Sequence, residues 1–180
     1  MATTVPFMVD DISVIIGLGN PGPKFHLTRH NVGFEFLDYL AKIHYAHWRT
    51  VGNAQVASIQ LHGKELLLIK PQTFMNSSGD VWPMIAKKGI KPAQVLVVHD
   101  ELEKKFGTHQ TRLGGSARGH NGLRSLISRC GEEFWRLRLG VDRPAESRNV
   151  ADYVLARFPA AECQKLESWF TTLSTQLRLS

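Results

Sequence analysis

Ile12-Ser13-Val14-Ile15-Ile16-Gly17-Leu18-Gly19-Asn20-Pro21-Gly22 is the stretch on which the fold turns. Ile12 to Leu18 is apolar and β-branched and reads as a buried strand. Gly, Pro and polar residues then crowd the chain as far as His30 and Asn31. From Asn31 to about His47 the pattern becomes helical, with Val32, Phe36, Leu37, Leu40, Ala41 and Ile43 on one stripe. Thr28 or Asn31 is placed to cap its start. The stretch is therefore a strand-to-helix crossing. In an open α/β sheet such crossings, beyond the carboxyl ends of the strands, are where ligands bind.

Outward from that crossing, strands and helices alternate. Gln55–Leu61 and Glu65–Lys70 read as a hairpin turning at His62-Gly63, and Pro71 ends it. Gln72 to Gly79 is a second polar crossing, leading to a helix over about Ser78–Lys88 in which Pro83 must fall in or near the first turn. Gln94–Val98 is a short apolar strand with His99-Asp100 at its end, and Phe106–Leu113 suits an edge strand. The Gly-rich loop from Gly114 to Gly122 precedes a helix, Leu123 to about Cys130, stopped by Gly131. Phe134–Val141 is the last strand, Asp142–Asn149 a loop, and Val150–Phe158 and Ala161–Leu179 are helices divided by Pro159. The expected fold is α/β: one domain over 12–180, preceded by an extension over 1–11. Its mixed, mostly parallel twisted sheet carries helices on both faces.

Bulk properties narrow the function. The 180 residues are 43% hydrophobic, and no apolar run approaches the roughly 18 residues of a membrane helix. The first residues carry no basic signal or transit pattern. That places the chain in the cytoplasm, or in a mitochondrion or plastid if a leader has been removed. Cys130 and Cys163 are isolated and imply no disulfide framework. The net charge is +6, and ten Lys/Arg face four Asp/Glu between Lys104 and Arg148. Such an excess suits a polyanion such as nucleic acid, although a solvated basic face looks the same in sequence.

Right-handed crossovers bring the carboxyl ends of the parallel strands to one sheet edge. That gathers Asn20 and His30 from the first crossing, Met75 and Asn76 from the second, Asp100 from the central strand, and His120 and Asn121 from the Gly-rich loop. A neutral His30 can take a proton near pH 7, and Asp100 can fix its tautomer and steady the imidazolium. Each also has a plainer reading, as a helix-start and a strand-end polar residue. No G-x-S-x-G elbow and no loop-borne Cys offers a nucleophile, so water activated by His is the economical chemistry. The amides of Asn20, Asn76 and Asn121 can hold a carbonyl, a peptide backbone or a water, or can simply serve turns. Phe74 and Met75 suit either an apolar wall or the core. No H-E-x-x-H or Cys/His cluster indicates a metal, and no Walker or dinucleotide fingerprint indicates a nucleotide cofactor. Arg112, Arg118, Arg124, Arg136 and Arg138 are candidate phosphate cations, with Arg112 and Arg138 on neighbouring strands.

Together these blocks resemble the bacterial-type peptidyl-tRNA hydrolase family. The resemblance rests on Gly17-Leu18-Gly19-Asn20-Pro21-Gly22 with Thr28-Arg29-His30-Asn31, and on Lys70-Pro71-Gln72-Thr73-Phe74-Met75-Asn76-Ser77-Ser78-Gly79. It continues with His99-Asp100-Glu101-Leu102 and the run from Gly114 to Ser125, followed by Arg136-Leu137-Arg138-Leu139-Gly140-Val141 and Arg143-Pro144. It implies a cofactor-free, monomeric esterase that frees tRNA from peptidyl-tRNA. His30 would be its base, Asp100 the base's support, and Asn20 the residue that places water or the oxyanion. It further implies that Phe25, Phe74, Met75, Asn76, His120 and Asn121 meet the peptidyl and terminal-nucleotide part, while Arg112 and Arg138 hold a tRNA phosphate. The alternative it leaves is a non-catalytic RNA-binding protein on the same fold. Phe25 stands where the family usually has Tyr, Arg112 where Lys is common, and Arg118 in place of a Gly. Lys104-Lys105 replaces a more apolar stretch, and the last helix stops early. The Ser116-Ala117-Arg118 form of the loop is similar to eukaryotic or organellar members.

Overall fold

The apolar run after Ile12 forms β1, Val14–Gly17, all of it buried. It lies between β4, Lys64–Pro71, and β5, Val95–Glu101, and is parallel to both. A computed structural model describes residues 5–145 and 149–180. The seven strands follow the order β2-β3-β4-β1-β5-β7-β6. Here β2 is Arg49–Val51, β3 Ala54–Leu61, β6 His109–Leu113 and β7 Trp135–Gly140. The centre, β4-β1-β5-β7, is parallel, and the pairs β2–β3, β3–β4 and β6–β7 are antiparallel. The sheet is therefore mixed and mostly parallel at its core, as expected.

Apolar residues fill both faces. On one, α1 (Val32–Ile43) and α5 (Ala160–Gln176) cover Ile15, Leu68, Leu96 and Leu137. On the other, a 3₁₀ turn at Met75–Val81, α2 (Trp82–Ala86) and α3 (Asn121–Cys130) cover Val14, Ile16, Ile69 and Val97. A short helix α4, Val150–Val154, lies near the carboxyl edge of the sheet. Of the loop expected at Asp142–Asn149, residues 146–148 lie outside the described residues. So do residues 1–4 of the expected extension. Phe7 packs edge-to-face on Trp135 at 5.3 Å, and Val9 is buried in the core.

The hairpin turns at His62-Gly63, both with positive φ (50° and 80°), as a tight turn matched to strand twist requires. Several boundaries differ from expectation. α1 stops at Ile43 rather than His47 because Tyr45 takes a left-handed φ of 54°. The Ala46 N–H then bonds Ala41 O at 2.8 Å and the Tyr45 N–H bonds Lys42 O at 3.2 Å, a Schellman closure without glycine. The helix expected from Ser78 begins as the 3₁₀ turn at Met75. Pro83 falls in the first turn of α2, the position where its missing N–H costs nothing. β5 runs on through His99 and Asp100 because β7 pairs with it that far.

Candidate active site

The site begins with a close approach. A Cβ on Gly33 would lie 2.4 Å from Val98 O and 2.6 Å from Leu18 N, and one on Gly17 would lie 2.5 Å from Gly33 O. Two glycines thus let the first turn of α1 rest on the ends of β1 and β5. His30, in the 3₁₀ turn Arg29–Asn31 that leads into α1, comes to lie on Asp100 at the end of β5. Its Nδ1 is 3.0 and 2.9 Å from Asp100 Oδ1 and Oδ2.

Asp100 is shared. His120 Nε2 is 2.8 Å from its Oδ1. His120 Nδ1 accepts the N–H groups of Gly122 and Leu123 at 3.1 and 3.3 Å, which makes His120 the N-cap of α3. An Nδ1 that accepts from two backbone donors carries no proton, so His120 donates to Asp100 through Nε2–H. Burial raises the pKa of Asp100, but the two imidazoles, by charge and hydrogen bond, bring it well below the usual carboxylate range. Burial lowers that of His30, but the Asp100 charge and hydrogen bond outweigh it, for a net rise. With its Nδ1–H held by an ionised Asp100, His30 keeps a lone pair on Nε2.

The ligand atoms of His30, Asp100 and His120 all lie within 4.8 Å of one another, close enough to suggest a metal. A metal would require His120 Nε2 to lose its proton, and Nδ1, facing two N–H donors, cannot receive it. The donor set fits a hydrogen-bonded relay and not a metal centre.

Asn20 is held just as firmly. Its Oδ1 accepts the Met75 N–H at 2.7 Å. Its backbone N–H donates to Asn31 Oδ1 at 2.8 Å, and Asn31 Nδ2 returns a bond to Asn20 O at 2.9 Å. This corrects the capping expectation. Asn31 occupies the N-cap of α1 without capping it, and Thr28 Oγ1 bonds Phe25 O instead. With its carbonyl occupied by Met75, Asn20 presents its NH₂ group to the pocket.

That pocket has a volume of about 620 Å³, and the expected base, its carboxylate, the amides, the aromatics and the clamp arginines line it; of the five candidate cations, Arg124 stands exposed outside it. Phe25 and the exposed Phe74 meet edge-to-face at 6.4 Å on one wall. Asn76 and Asn121 are brought together where α3 packs on the 3₁₀ turn. There the Gly79 N–H donates to Ser125 Oγ at 2.8 Å, and a Cβ on Gly79 would lie 2.3 Å from Ser125 O. Met75 is buried beneath them. A further wall is α4 with the residue after it, which contribute Val150, Val154 and Leu155. Arg29 anchors it: its guanidinium stacks 3.9 Å over the Tyr153 ring and donates to Tyr153 O at 3.0 Å.

The basic edge is only partly as expected. Arg112 and Arg138 do lie on neighbouring strands, β6 and β7, but in register Arg112 faces Arg136 and Gln110 faces Arg138. Arg112 is exposed and has no carboxylate partner among the described residues. Arg138 is already engaged: its Nε is 2.7 Å from Glu101 Oε1, and it also bonds Gln110. Arg136, a candidate phosphate cation in the sequence, is instead turned inward and buried.

Several residues of the site escaped the sequence. Glu101, Arg29 and Asn31 act through partners far away in the chain. His99 is fully buried, donates from Nδ1 to Asp100 O at 2.8 Å, and packs its ring 5.2 Å from that of His120. Burial above all, with His120 nearby, lowers its pKa to about 3, so it stays neutral. Its position in His99-Asp100-Glu101-Leu102 was the one signal available.

The family model for peptidyl-tRNA hydrolase matches residues 14–180. The chain is 46% identical over 146 residues to a peptidyl-tRNA hydrolase of Rubrobacter xylanophilus, covering 81% of this chain and 82% of that one. It is 42% identical over 166 residues to one from Mycobacteroides abscessus, covering 90% and 85%. In structure it is similar to peptidyl-tRNA hydrolase from Acinetobacter baumannii, with TM-score 0.82, 31% identity, and 97% and 95% of the two chains covered.

Proposed function

The chain belongs to the peptidyl-tRNA hydrolase family, and on that premise we propose how its residues cleave the ester between a peptide and the terminal ribose of tRNA. His30 Nε2 takes a proton from water while Asp100 steadies the imidazolium that forms. The hydroxide adds to the ester carbonyl carbon. The resulting oxyanion is met by the Asn20 NH₂ group, which points at the pocket because Met75 holds the other end of that amide. When the tetrahedral intermediate collapses, the ribose oxygen leaves with the proton from His30. Peptide and tRNA are then free, and the enzyme is back in its starting state.

The observation that carries this reading is the relay at Asp100, with Nδ1 of His30 at 2.9 Å and Nε2 of His120 at 2.8 Å. It fixes the tautomer that a base needs. Asn76 and Asn121 engage peptide backbone, Phe25 and Phe74 flank the scissile group, and Arg112 with Arg138 meets a tRNA phosphate. Recognition through amides leaves the peptide sequence unread, and recognition through phosphate makes binding salt-sensitive. One chain supplies every one of these groups, which supports a monomeric enzyme. We place the reaction in the cytoplasm by likeness to the bacterial relatives; separately, no described helix is long and apolar enough to cross a membrane.

The direct test follows release of the blocked amino acid from an N-acetyl-aminoacyl-tRNA, with His30→Ala alongside. Release by the wild type that His30→Ala abolishes is the expected result. Binding of tRNA without release would favour the non-catalytic RNA-binding alternative, and equal cleavage of a small ester would remove tRNA from the account.

A further inference from the structure

Arg136 is 3% exposed, yet no carboxylate pairs with it among the described residues. Its guanidinium lies 4.7 Å over the Phe134 ring. Nη1 donates to Ser116 O at 2.6 Å, and Nη2 donates to Gly115 O. Both carbonyls belong to the Gly-rich loop that runs on to His120 and Asn121. Arg112, its cross-strand neighbour, touches the same peptide: a Cβ on Gly115 would lie 3.2 Å from Arg112 Cζ, and Gly115 has a φ of 113° that an L side chain rarely adopts. As packing alone this is a poor use of arginine. A methionine would fill similar space without desolvating a charge. What the guanidinium adds is a fixed pair of donors for two successive carbonyls.

We infer that Arg136 is a positioning residue: it ties the Gly-rich loop to the β6–β7 edge and so sets where His120 meets Asp100 and where Asn121 enters the pocket. It acts through the loop and touches no phosphate itself. The loop is tethered near its start, and the N-cap bonds of His120 hold its end. A loop pinned at both ends keeps a His and an Asn in register with residues on other strands. The inference rests on the assignment of His120 and Asn121 to the substrate site.

Arg136→Met removes charge and donors, and Arg136→Lys keeps the charge with one donor set. Both are compared with wild type and with Asn121→Ala. Hydrogen exchange is read for peptides spanning residues 112–121 and for β5, and kcat and KM are measured on N-acetyl-aminoacyl-tRNA across a salt series. Loop exchange should quicken by about 10-fold with β5 unchanged. In Arg136→Met kcat should fall by about 10- to 100-fold, as for a misplaced catalytic group, and Arg136→Lys should lie between Arg136→Met and wild type. The salt slope of KM should not change. A slope shallower by about one would make Arg136 a phosphate contact and overturn the inference. Unchanged loop exchange and kcat beside an impaired Asn121→Ala would also overturn it. A loosened loop with full activity in both Asn121→Ala and the Arg136 variants would remove the loop from the site, and the positioning role with it. If Arg136→Met does not fold, Arg136→Lys gives the exchange and kcat outcomes and Arg136→Gln, which removes the charge, gives the salt slope.

Discussion

Asp100→Asn changes one atom and should test the relay most sharply. In the wild type Oδ1 accepts from His120 at 2.8 Å while Oδ2 faces His30 Nδ1 at 2.9 Å. The amide can keep its oxygen toward His120, but its NH₂ group then sits where Oδ2 was. Facing a donor, His30 moves its proton to Nε2, and the atom that should take a proton from water already has one. Restoring the working tautomer leaves two buried donors face to face, at about 1–3 kcal/mol. The imidazolium also loses a charge-assisted hydrogen bond worth about 1.5–3 kcal/mol. Together these predict a fall in kcat of about 10²–10⁴-fold. The pH profile moves as well. Asp100 raises the His30 pKa above 6.5, so wild-type activity should rise through an acid limb lying above that value. Without the carboxylate only burial acts on His30, and the limb should move below 6.5. Single-turnover release from N-acetyl-aminoacyl-tRNA across pH reads both effects. A variant with more than about a tenth of wild-type activity, or one whose acid limb stays in place, would refute the assignment of His30 as a base oriented by Asp100.

Asn20→Asp keeps an oxygen for the Met75 N–H but puts an acceptor where the oxyanion forms; kcat should drop by about 10²–10³-fold with little change in KM, and a KM effect alone would make Asn20 a binding residue. Gly33→Ala drives a methyl to 2.4 Å from Val98 O, so it should cost about 1–3 kcal/mol of stability in a denaturant melt and displace His30, lowering activity even where the protein is folded. His99→Asn should flatten the pH dependence of stability between pH 6.5 and about 3. In that window the unfolded state binds a proton that the buried ring refuses, so stability is lost as pH falls, by about 2 kcal/mol at about pH 5. Equal slopes for wild type and variant would show that His99 does not titrate in this way. Arg138→Ala leaves Glu101 without its partner beside the proposed phosphate site, so tRNA binding should weaken more than in Arg112→Ala. Adding Glu101→Gln should recover part of the loss, and no recovery would mean that Arg138 acts independently of Glu101.

Alternation of strand and helix carried the fold in the sequence because each strand-to-helix crossing is local. Gly17 to Asn31, Gln72 to Gly79 and Gly114 to Gly122 each announce themselves by composition, and topology then takes them to one edge. β2 gave no such signal: Arg49-Thr50-Val51 is wholly exposed and has no buried face to impose a period. The end of α1 was hidden because Tyr45, not glycine, takes the left-handed turn. Asn31 misled for a more general reason. Its side chain suits a cap by local rules, but the backbone of Asn20, remote in sequence, offers a donor and an acceptor together. Glu101 was illegible for the same reason, and Arg136, read as a candidate phosphate cation, turns inward onto the carbonyls of Gly115 and Ser116. A charge in a strand looks like a solvated face until its partner is known.

The contiguity of Arg29-His30-Asn31 has a geometric origin. These residues form one turn of 3₁₀ helix just before α1. With three residues per turn, successive side chains leave the axis about 120° apart, so three neighbours can serve three separate structures. Arg29 reaches α4, stacking on Tyr153 and bonding its carbonyl. His30 reaches Asp100 on β5. Asn31 reaches the Asn20 backbone and holds the loop that carries the proposed oxyanion donor. The glycine contact under α1 fixes the axis from which all three radiate. One short turn thus sets the proposed base, the proposed oxyanion group and the apolar wall relative to one another. Inserting a single residue there would rotate each side chain onto its neighbour's target, which is why so much of the chemistry is written in consecutive letters.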